Sequence, residues 1–362
     1  MRVERPRKAG GLEDNVMQTD HSRAALIAAL PKAELHLHIE GTLEPEAIFA
    51  MAQRNGIPLR YESVEALRAA YAFTDLQSFL DLYYAATDVL RTAEDFHDMT
   101  QAYVARAIAD NVRHAEIFFD PQSHTSRGVP IETVFEGIGS ALREARSRGL
   151  SSRMILCFLR HLSEAEAFET LHDALRCRTH YTDLWTGVGL DSSERGHPPD
   201  KFARVFARCR ELGLRCVAHA GEEGPAAYIR DALDILEVSR IDHGVRCEED
   251  PALVKRLAQE QVPLTVCPLS NVRLCVVPDL AHHNLARLLR AGLCVTINSD
   301  DPAYFGGYIG QNYTAAADAL DLQTEEIVQL ARNSFRASWL SDTEKARYLA
   351  VIERIAAPFR GP

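Results

Sequence analysis

Two histidines separated by one leucine, His36 and His38 in PKAELHLHIEGTL, are the first residues whose types and spacing could do chemistry. Residues i and i+2 of a strand face the same way. The pair therefore aims two imidazoles into one space while Leu35 and Leu37 face the other side. Taken alone, such a pair is more often two hydrogen-bonded core histidines than a metal site. It gains weight from its company: His219 in AHAGEEGP, His243 in RIDHG and Asp300–Asp301 in NSDDPAYF. Three neutral imidazoles (His36, His38, His219) and the carboxylate of Asp300 suit Zn²⁺ or a similar divalent ion. Glu222, three residues past His219, reads as an acid catalyst rather than a helix N-terminal charge. Its neighbour Glu223 reads as a surface or capping carboxylate. His243 reads as catalytic rather than as a structural partner of Asp242, and Asp301 as a substrate contact rather than a cap before Pro302. His97, His172, His282 and His283 lack such context and read as solvated.

These residues need elements that bring them together. Eight short apolar, β-branched runs bounded by turn residues read as strands. They are AELHLHI from Ala33, HAEIFF from His114, RMILCFL from Arg153, WTGVGL from Trp185, RCVAHA from Arg215, RIDHG from Arg240, PLTVCP from Pro263 and CVTINS from Cys294. Helical patterns such as PIETVFEGIGSALREARSRG and DPALVKRLAQEQ lie between them. Strands alternating with helices imply parallel pairing, and eight units imply an α/β fold of the closed (β/α)8 TIM barrel type. The polar residues fall where apolar runs end: Asp191 to Glu194 after the fourth, Glu222 after the fifth, His243 at the sixth, Ser270 and Asn271 after the seventh, Asp300 and Asp301 after the eighth. In a barrel those ends form one rim, where active sites sit.

The interval from Ile39 to His114 is too long for one crossover. It reads as a helical insertion after the first strand, with DLQSFLDLYYAATDVL and AEDFHDMTQAYVARAIADN as helices and Phe73, Leu76 and Phe79 either as apolar cover for a lid or as ordinary helix-core residues. LQTEEIVQLARNSFRASWLSDTEKARYLAVIERIAA reads as closing helices. Residues 1–22 are polar and read as a disordered tail, with Met17 an alternative start. Residues 23–362 read as a single domain.

The net charge of −11 at pH 7 offers no basic field for nucleic acid or anionic lipid. No apolar run approaches the ~20 residues of a membrane span, and the first residues lack a signal-peptide apolar segment. The eight cysteines include no Cys-x-x-Cys pair. They read as reduced core cysteines of a cytoplasmic protein. A homo-oligomer is left open.

PKAELHLHIEGTL, AHAGEEGP, RIDHG, CPLSN and SDDPAYFGGY together resemble the adenosine and AMP deaminase branch of the metal-dependent amidohydrolases. GVGLDSSERGHPP and RIDHG resemble its adenine deaminase subgroup, with a departure at Arg195-Gly196-His197. The resemblance implies one Zn²⁺ per subunit, held by His36, His38, His219 and Asp300. It also implies a purine partner whose exocyclic amine is replaced by oxygen, as in conversion of adenine to hypoxanthine and ammonia. Glu222 would then protonate ring N1, His243 and Asp300 would activate water, and Asp301 would meet N7. Adenosine or an N6-substituted adenine are the alternatives. A free base carries an N–H where a nucleoside carries ribose, and Ser193 and Glu194 are the candidates to bond it.

Rival readings fit less well. A binuclear amidohydrolase would need a bridging lysine from a middle strand, and no lysine lies between Lys32 and Lys201. A cytidine-deaminase-type site needs H-x-E followed by P-C-x-x-C, and the chain has no such run. A metal-stabilised binding protein would not need the surplus acid, base and aspartate groups.

Overall fold

The computed structural model describes residues 23–360; the sequence reading of a tail over 1–22 lies outside them. Eight strands form one parallel sheet in chain order: β1 (Lys32–Glu34), β2 (Val112–Phe119), β3 (Ser151–Leu159), β4 (Trp185–Asp191), β5 (Arg215–Ala220), β6 (Arg240–His243), β7 (Leu264–Val266) and β8 (Val295–Ile297). Every ladder is parallel. Helices cover the outer face and side chains fill the inside, so the strands are buried on both faces. That is why they read as continuous apolar runs rather than alternating ones. The barrel interior holds its own small cluster of Phe118, Ile155, Cys157, Val217 and Trp339.

The first strand is shorter than its sequence suggests. Regular pairing ends at Glu34, not at Ile39. The next residues are still held from both sides. Phe118 N–H donates to Leu37 O (2.8 Å) and Ile39 N–H to Phe118 O (3.0 Å). On the other flank Leu35 N–H donates to Asn298 Oδ1 (2.9 Å), Asp300 N–H to His36 O (3.1 Å) and His38 N–H to Asp300 O (3.0 Å). These bonds, with the bridge between Leu37 and Asp300, close the barrel. The closing seam thus carries His36, His38 and Asp300.

The long first crossover folds as α1 (Pro45–Asn55), α2 (Val64–Ala69), α3 (Leu76–Thr87) and α4 (Ala93–Ala109). Asp75 and Ser78 make a reciprocal cap at the start of α3, and Thr92 and Asp95 do the same for α4, satisfying amides that the first turn leaves free. Leu76, Phe79, Leu80 and Tyr83 recur at i, i+3, i+4 and i+7 and are buried, the spacing of one apolar helix face. That face covers the barrel mouth. Helices Thr324–Ala337 and Asp342–Ala356 close the chain. Among the described residues, no helix is long and apolar enough to cross a membrane.

All eight cysteines are unpaired, and seven are buried. Cys275 departs from the core reading. It is exposed in the turn after the helix Pro268–Arg273, where the chain leaves the barrel and the apolar context of a strand is lost.

Candidate active site

His36 and His38 follow β1, His219 lies in β5, and Asp300 follows β8. All four side chains are buried and their ligand atoms cluster within 4.8 Å of one another. His36 Nε2 lies 3.1 Å from Asp300 Oδ1, His38 Nε2 3.5 Å from the same oxygen, and His38 Nε2 3.2 Å from His219 Nε2. Tetrahedral bonds of about 2.0–2.1 Å give ligand–ligand edges of about 3.3–3.4 Å, so these separations fit a divalent cation such as zinc. The outer ring nitrogens each face an oxygen. His36 Nδ1 lies 3.0 Å from Thr265 Oγ1, His38 Nδ1 3.6 Å from Asp191 Oδ2 and His219 Nδ1 3.6 Å from Asp242 Oδ2. Such partners orient an imidazole and turn its other nitrogen inward. Three nitrogens crowded on one carboxylate oxygen, with His36 Nε2 lacking a hydrogen-bond partner, make a donor set that a cation would complete. Burial draws Asp300 upward, but the imidazoles of His36 and His243 outweigh it and hold the carboxyl well below its usual range. Its second oxygen accepts from Ser270 Oγ (2.7 Å).

Glu222 stands beside this group, buried, with Oε1 unpartnered and Oε2 3.5 Å from His243 Nε2. Burial, then the negative charge of Asp300, raise its carboxyl well above the usual range. Such a shift favours its neutral form. His243 is pushed down to about 3 by burial first and by His36 next, so it is a neutral imidazole. Asp301 is likewise raised well above the usual range, by burial and then by Asp300. His243 and Asp300 both carry φ of +63°, a strained conformation for non-glycine residues that clusters at functional sites. Two glycines are required here. A Cβ on Gly41 would lie 2.0 Å from Asp301 Oδ1, and Gly221 combines φ +72° with a Cβ position 2.4 Å from Ile229 Cδ1. The glycine that closes HLHIEG is therefore the surface against which Asp301 packs.

A narrow cavity, about 390 Å³ with open space included, lies over the group. Its walls include His38, His219, Glu222, His243, Asp300 and Asp301. Leu76, Phe79, Leu80 and Tyr83 of α3 form the apolar side. Phe73 is not in the wall; it packs behind, on Phe79 and Phe305.

Two sequence candidates fall elsewhere. Glu194 is fully buried, and its carboxylate accepts from the backbone N–H of Gly221 (3.1 Å), Glu222 (3.0 Å) and Gly224 (2.8 Å). It shapes the loop that carries Glu222 and is not in the cavity wall. Ser193 is half-buried and outside the cavity wall; Ser192, with φ +71°, takes the place facing in. In that conformation the chain turns after β4, so the next residue points away. Glu223 is not a surface group either. Its side chain is almost fully covered and pairs with Arg195 at 3.2 Å. His283 is buried rather than solvated and bonds Asn271, whereas His282 and His172 are exposed and His97 is partly so.

The sequence reading missed Asp120, although it directly follows β2 and obeys the same strand-end rule. Asp120 and Asp191 both line the cavity. Burial, then the charge of Glu40, raises Asp120 to about 7; burial, then Asp120, raises Asp191 well above its usual range. Tyr83 OH lies 3.5 Å from Asp120 Oδ2, and Tyr84 OH donates to Ser192 Oγ at 3.1 Å.

The family model described as Adenosine deaminase matches residues 31–356. The adenine deaminase of Cupriavidus necator is 63% identical over 348 residues, covering 96% of this chain and 98% of that protein. That of Cupriavidus metallidurans is 64% identical over 338 residues, covering 93% and 94%. The crystal structure of adenine deaminase from Arthrobacter aurescens superposes with a TM-score of 0.88 at 56% identity, covering 90% of this chain and 99% of that one. An amidohydrolase from Burkholderia ambifaria with bound Zn superposes with a TM-score of 0.85 at 27% identity, covering 93% and 94%. This chain belongs to the adenosine deaminase family.

Proposed function

We propose that this chain is a zinc-dependent hydrolase that converts adenine and water to hypoxanthine and ammonia, as a cytoplasmic purine-salvage enzyme. One observation carries the reading. A donor set of three histidines and one aspartate opens onto a cavity whose other polar walls include two carboxyls raised well above their usual range, Glu222 and Asp301. The names of the similar Cupriavidus and Arthrobacter proteins supply the substrate.

His36, His38, His219 and Asp300 would hold one zinc ion. When bound, zinc would supply the Lewis acidity that lowers the pKa of water to about 7. The chain's own residues do the rest. Asp300 orients the attacking water and receives its proton, and His243 braces the same oxygen. As oxygen adds to C6, electrons move onto ring N1, and Glu222 donates its proton there. Asp301 holds N7 and so fixes the angle of the ring. The amino group leaves as ammonia with the proton that Asp300 took from water, and the proton left on the C6 hydroxyl restores Glu222 as that oxygen becomes the carbonyl of hypoxanthine. Glu222 is suited to its part because burial keeps it protonated where an exposed glutamate would be ionised.

With N1 at Glu222 and N7 at Asp301, the five-membered ring lies on the Asp301 side of the cavity. Asp120 and Asp191 line the same cavity, Asp120 near enough to Asp301 for its charge to act on that carboxyl, and their oxygens are acceptors for the N–H of a free base. A glycosylated nitrogen has no such proton and would leave them unpaired, which polar sites penalise heavily. The test compares ammonia release from adenine and adenosine by purified zinc-loaded protein. Adenine should win by at least about a hundredfold in kcat/KM. Equal rates, or a preference for adenosine, would overturn the free-base reading.

A further inference from the structure

Behind the cavity, three buried polar side chains form a chain that begins at a backbone amide. Leu285 N–H donates to His283 Nδ1 at 3.0 Å. A backbone amide can only donate, so Nδ1 of His283 is an acceptor. The ring is neutral near pH 7, since burial, and after it the charge of Arg287, bring it down to about 4. Its single proton must then be on Nε2. That nitrogen lies 3.1 Å from Asn271 Oδ1 and donates to it. With its oxygen so engaged, Asn271 turns its amide nitrogen toward His243 Nδ1, 3.3 Å away. His243 Nδ1 is in turn an acceptor, and its proton sits on Nε2. Nε2 is the atom that faces Glu222 Oε2 at 3.5 Å and Asp300 Oδ2 at 3.7 Å.

We propose that His283 and Asn271 are positioning residues which lock His243 as its Nε2–H tautomer, so that it enters the reaction as a hydrogen-bond donor. His283 touches no part of the cavity; it acts through Asn271 on His243. The consequence for turnover rests on the deaminase reading above, whereas the tautomer does not. In this form His243 cannot take the water's proton at Nε2. It can steady the incoming oxygen and the Glu222 carboxyl by donating to them, which leaves Asp300 as the proton acceptor. Two polar groups that merely filled space behind the barrel would bond in either direction. The relay has a direction because it starts at an amide that cannot reverse.

Asn271→Asp tests the direction with little change of volume. An ionised aspartate only accepts, so it draws a proton from His243 Nδ1 and empties Nε2. Long-range nitrogen–proton NMR on zinc-loaded, ¹⁵N-histidine-labelled protein should show His243 protonated on Nε2 in the parent and on Nδ1 in N271D. Turnover of adenine should fall about a hundredfold in kcat, within the range of a misplaced acid–base group, with KM changed less than threefold. His283→Leu should lower kcat about tenfold, and His283→Gln should recover most of that loss, because a glutamine amide can both accept from Leu285 and donate to Asn271. An N271D protein that keeps Nε2 protonated, or keeps kcat within threefold, would overturn the proposal. So would H283Q behaving like H283L, and that pair decides the matter if N271D does not fold. If adenine is not turned over at all, the deaminase reading fails while the NMR comparison still judges the relay.

Discussion

Two ends of one barrel bury ionisable groups to the same extent and treat them in opposite ways. Toward the N-terminal ends of the strands, Arg240 donates to Glu116 and to Leu35 O, while Glu116 also accepts from His114 and from Trp339 N–H. Nearby, Glu34 accepts from Tyr103 OH and Ser299 Oγ. Of the polar atoms in these clusters only Arg240 Nε lacks a hydrogen-bond partner, with Asp242 Oδ1 3.7 Å away. At the C-terminal rim, buried His36 Nε2, Glu222 Oε1 and one oxygen each of Asp120 and Asp191 have no hydrogen-bond partner. A buried polar group without a partner costs about 1–3 kcal/mol, so a rim with several of them is built for something that arrives later. The lower cluster holds the fold together; the upper one spends stability on a site. Burial alone does not tell the two apart, but the direction and completeness of the hydrogen bonds do.

The largest expected effect breaks the rim and spares the base. Glu222→Gln should lower kcat by at least about a thousandfold, roughly 4 kcal/mol of barrier, while metal content and thermal midpoint stay near the parent values. Activity assay, metal analysis and calorimetry on one preparation check this, and substantial residual turnover would remove Glu222 from the acid's role. The next breaks the base and spares the rim. Arg240→Met leaves Glu116 buried without its counter-charge and should cost about 3–5 kcal/mol in urea unfolding, with kcat of the folded fraction changed less than about threefold. A large loss of kcat with little loss of stability would mean that the two ends are not separable.

The smallest effect is in the acid limb of stability. Burial raises Glu116, but Arg240 and His114 outweigh it and bring the carboxyl down to about 2. A folded pKa below the unfolded value of about 4.3 means stability present above that pH and lost as pH falls toward 2. The stability difference between the parent and Glu116→Gln should therefore be largest at pH 5 and shrink between about 4.3 and 2. A difference that is flat over that window would show that Glu116 is not held ionised by its partners.

The chemistry was legible in the sequence wherever a residue sits on or directly after a strand. His36 and His38 alternate with leucines, and His219, His243 and Asp300 end apolar runs. Position along a strand dictates face and end, and the barrel turns strand ends into one rim. The closing of β8 onto the segment after β1 was not legible, because Asn298 and Asp300 make it across more than 260 residues. Legibility also failed one or two residues past a strand. The run DSSE looks like four rim residues, yet Asp191 backs His38, Ser192 faces the cavity, Ser193 turns aside and Glu194 ties down the next loop. His283 was misread for the same reason: its neighbours in the chain are polar, and its burial comes from Asn271 and a loop brought against it from elsewhere.

By itself, the sequence determined the kind of molecule and the inventory of its candidate site: eight strand–helix units, three histidines and an aspartate that cluster, a glutamate beside them and an insertion to cover them. Those follow from residue type and period, which act over a few residues. Only the tertiary structure decided which carboxylates line the cavity and which meet backbone amides, and which hydrogen-bonding group faces each ring nitrogen. Those choices depend on partners that no local spacing records. A loop's conformation, and the tautomer of a buried imidazole, are set by whatever hydrogen-bonding group the fold places 3 Å away.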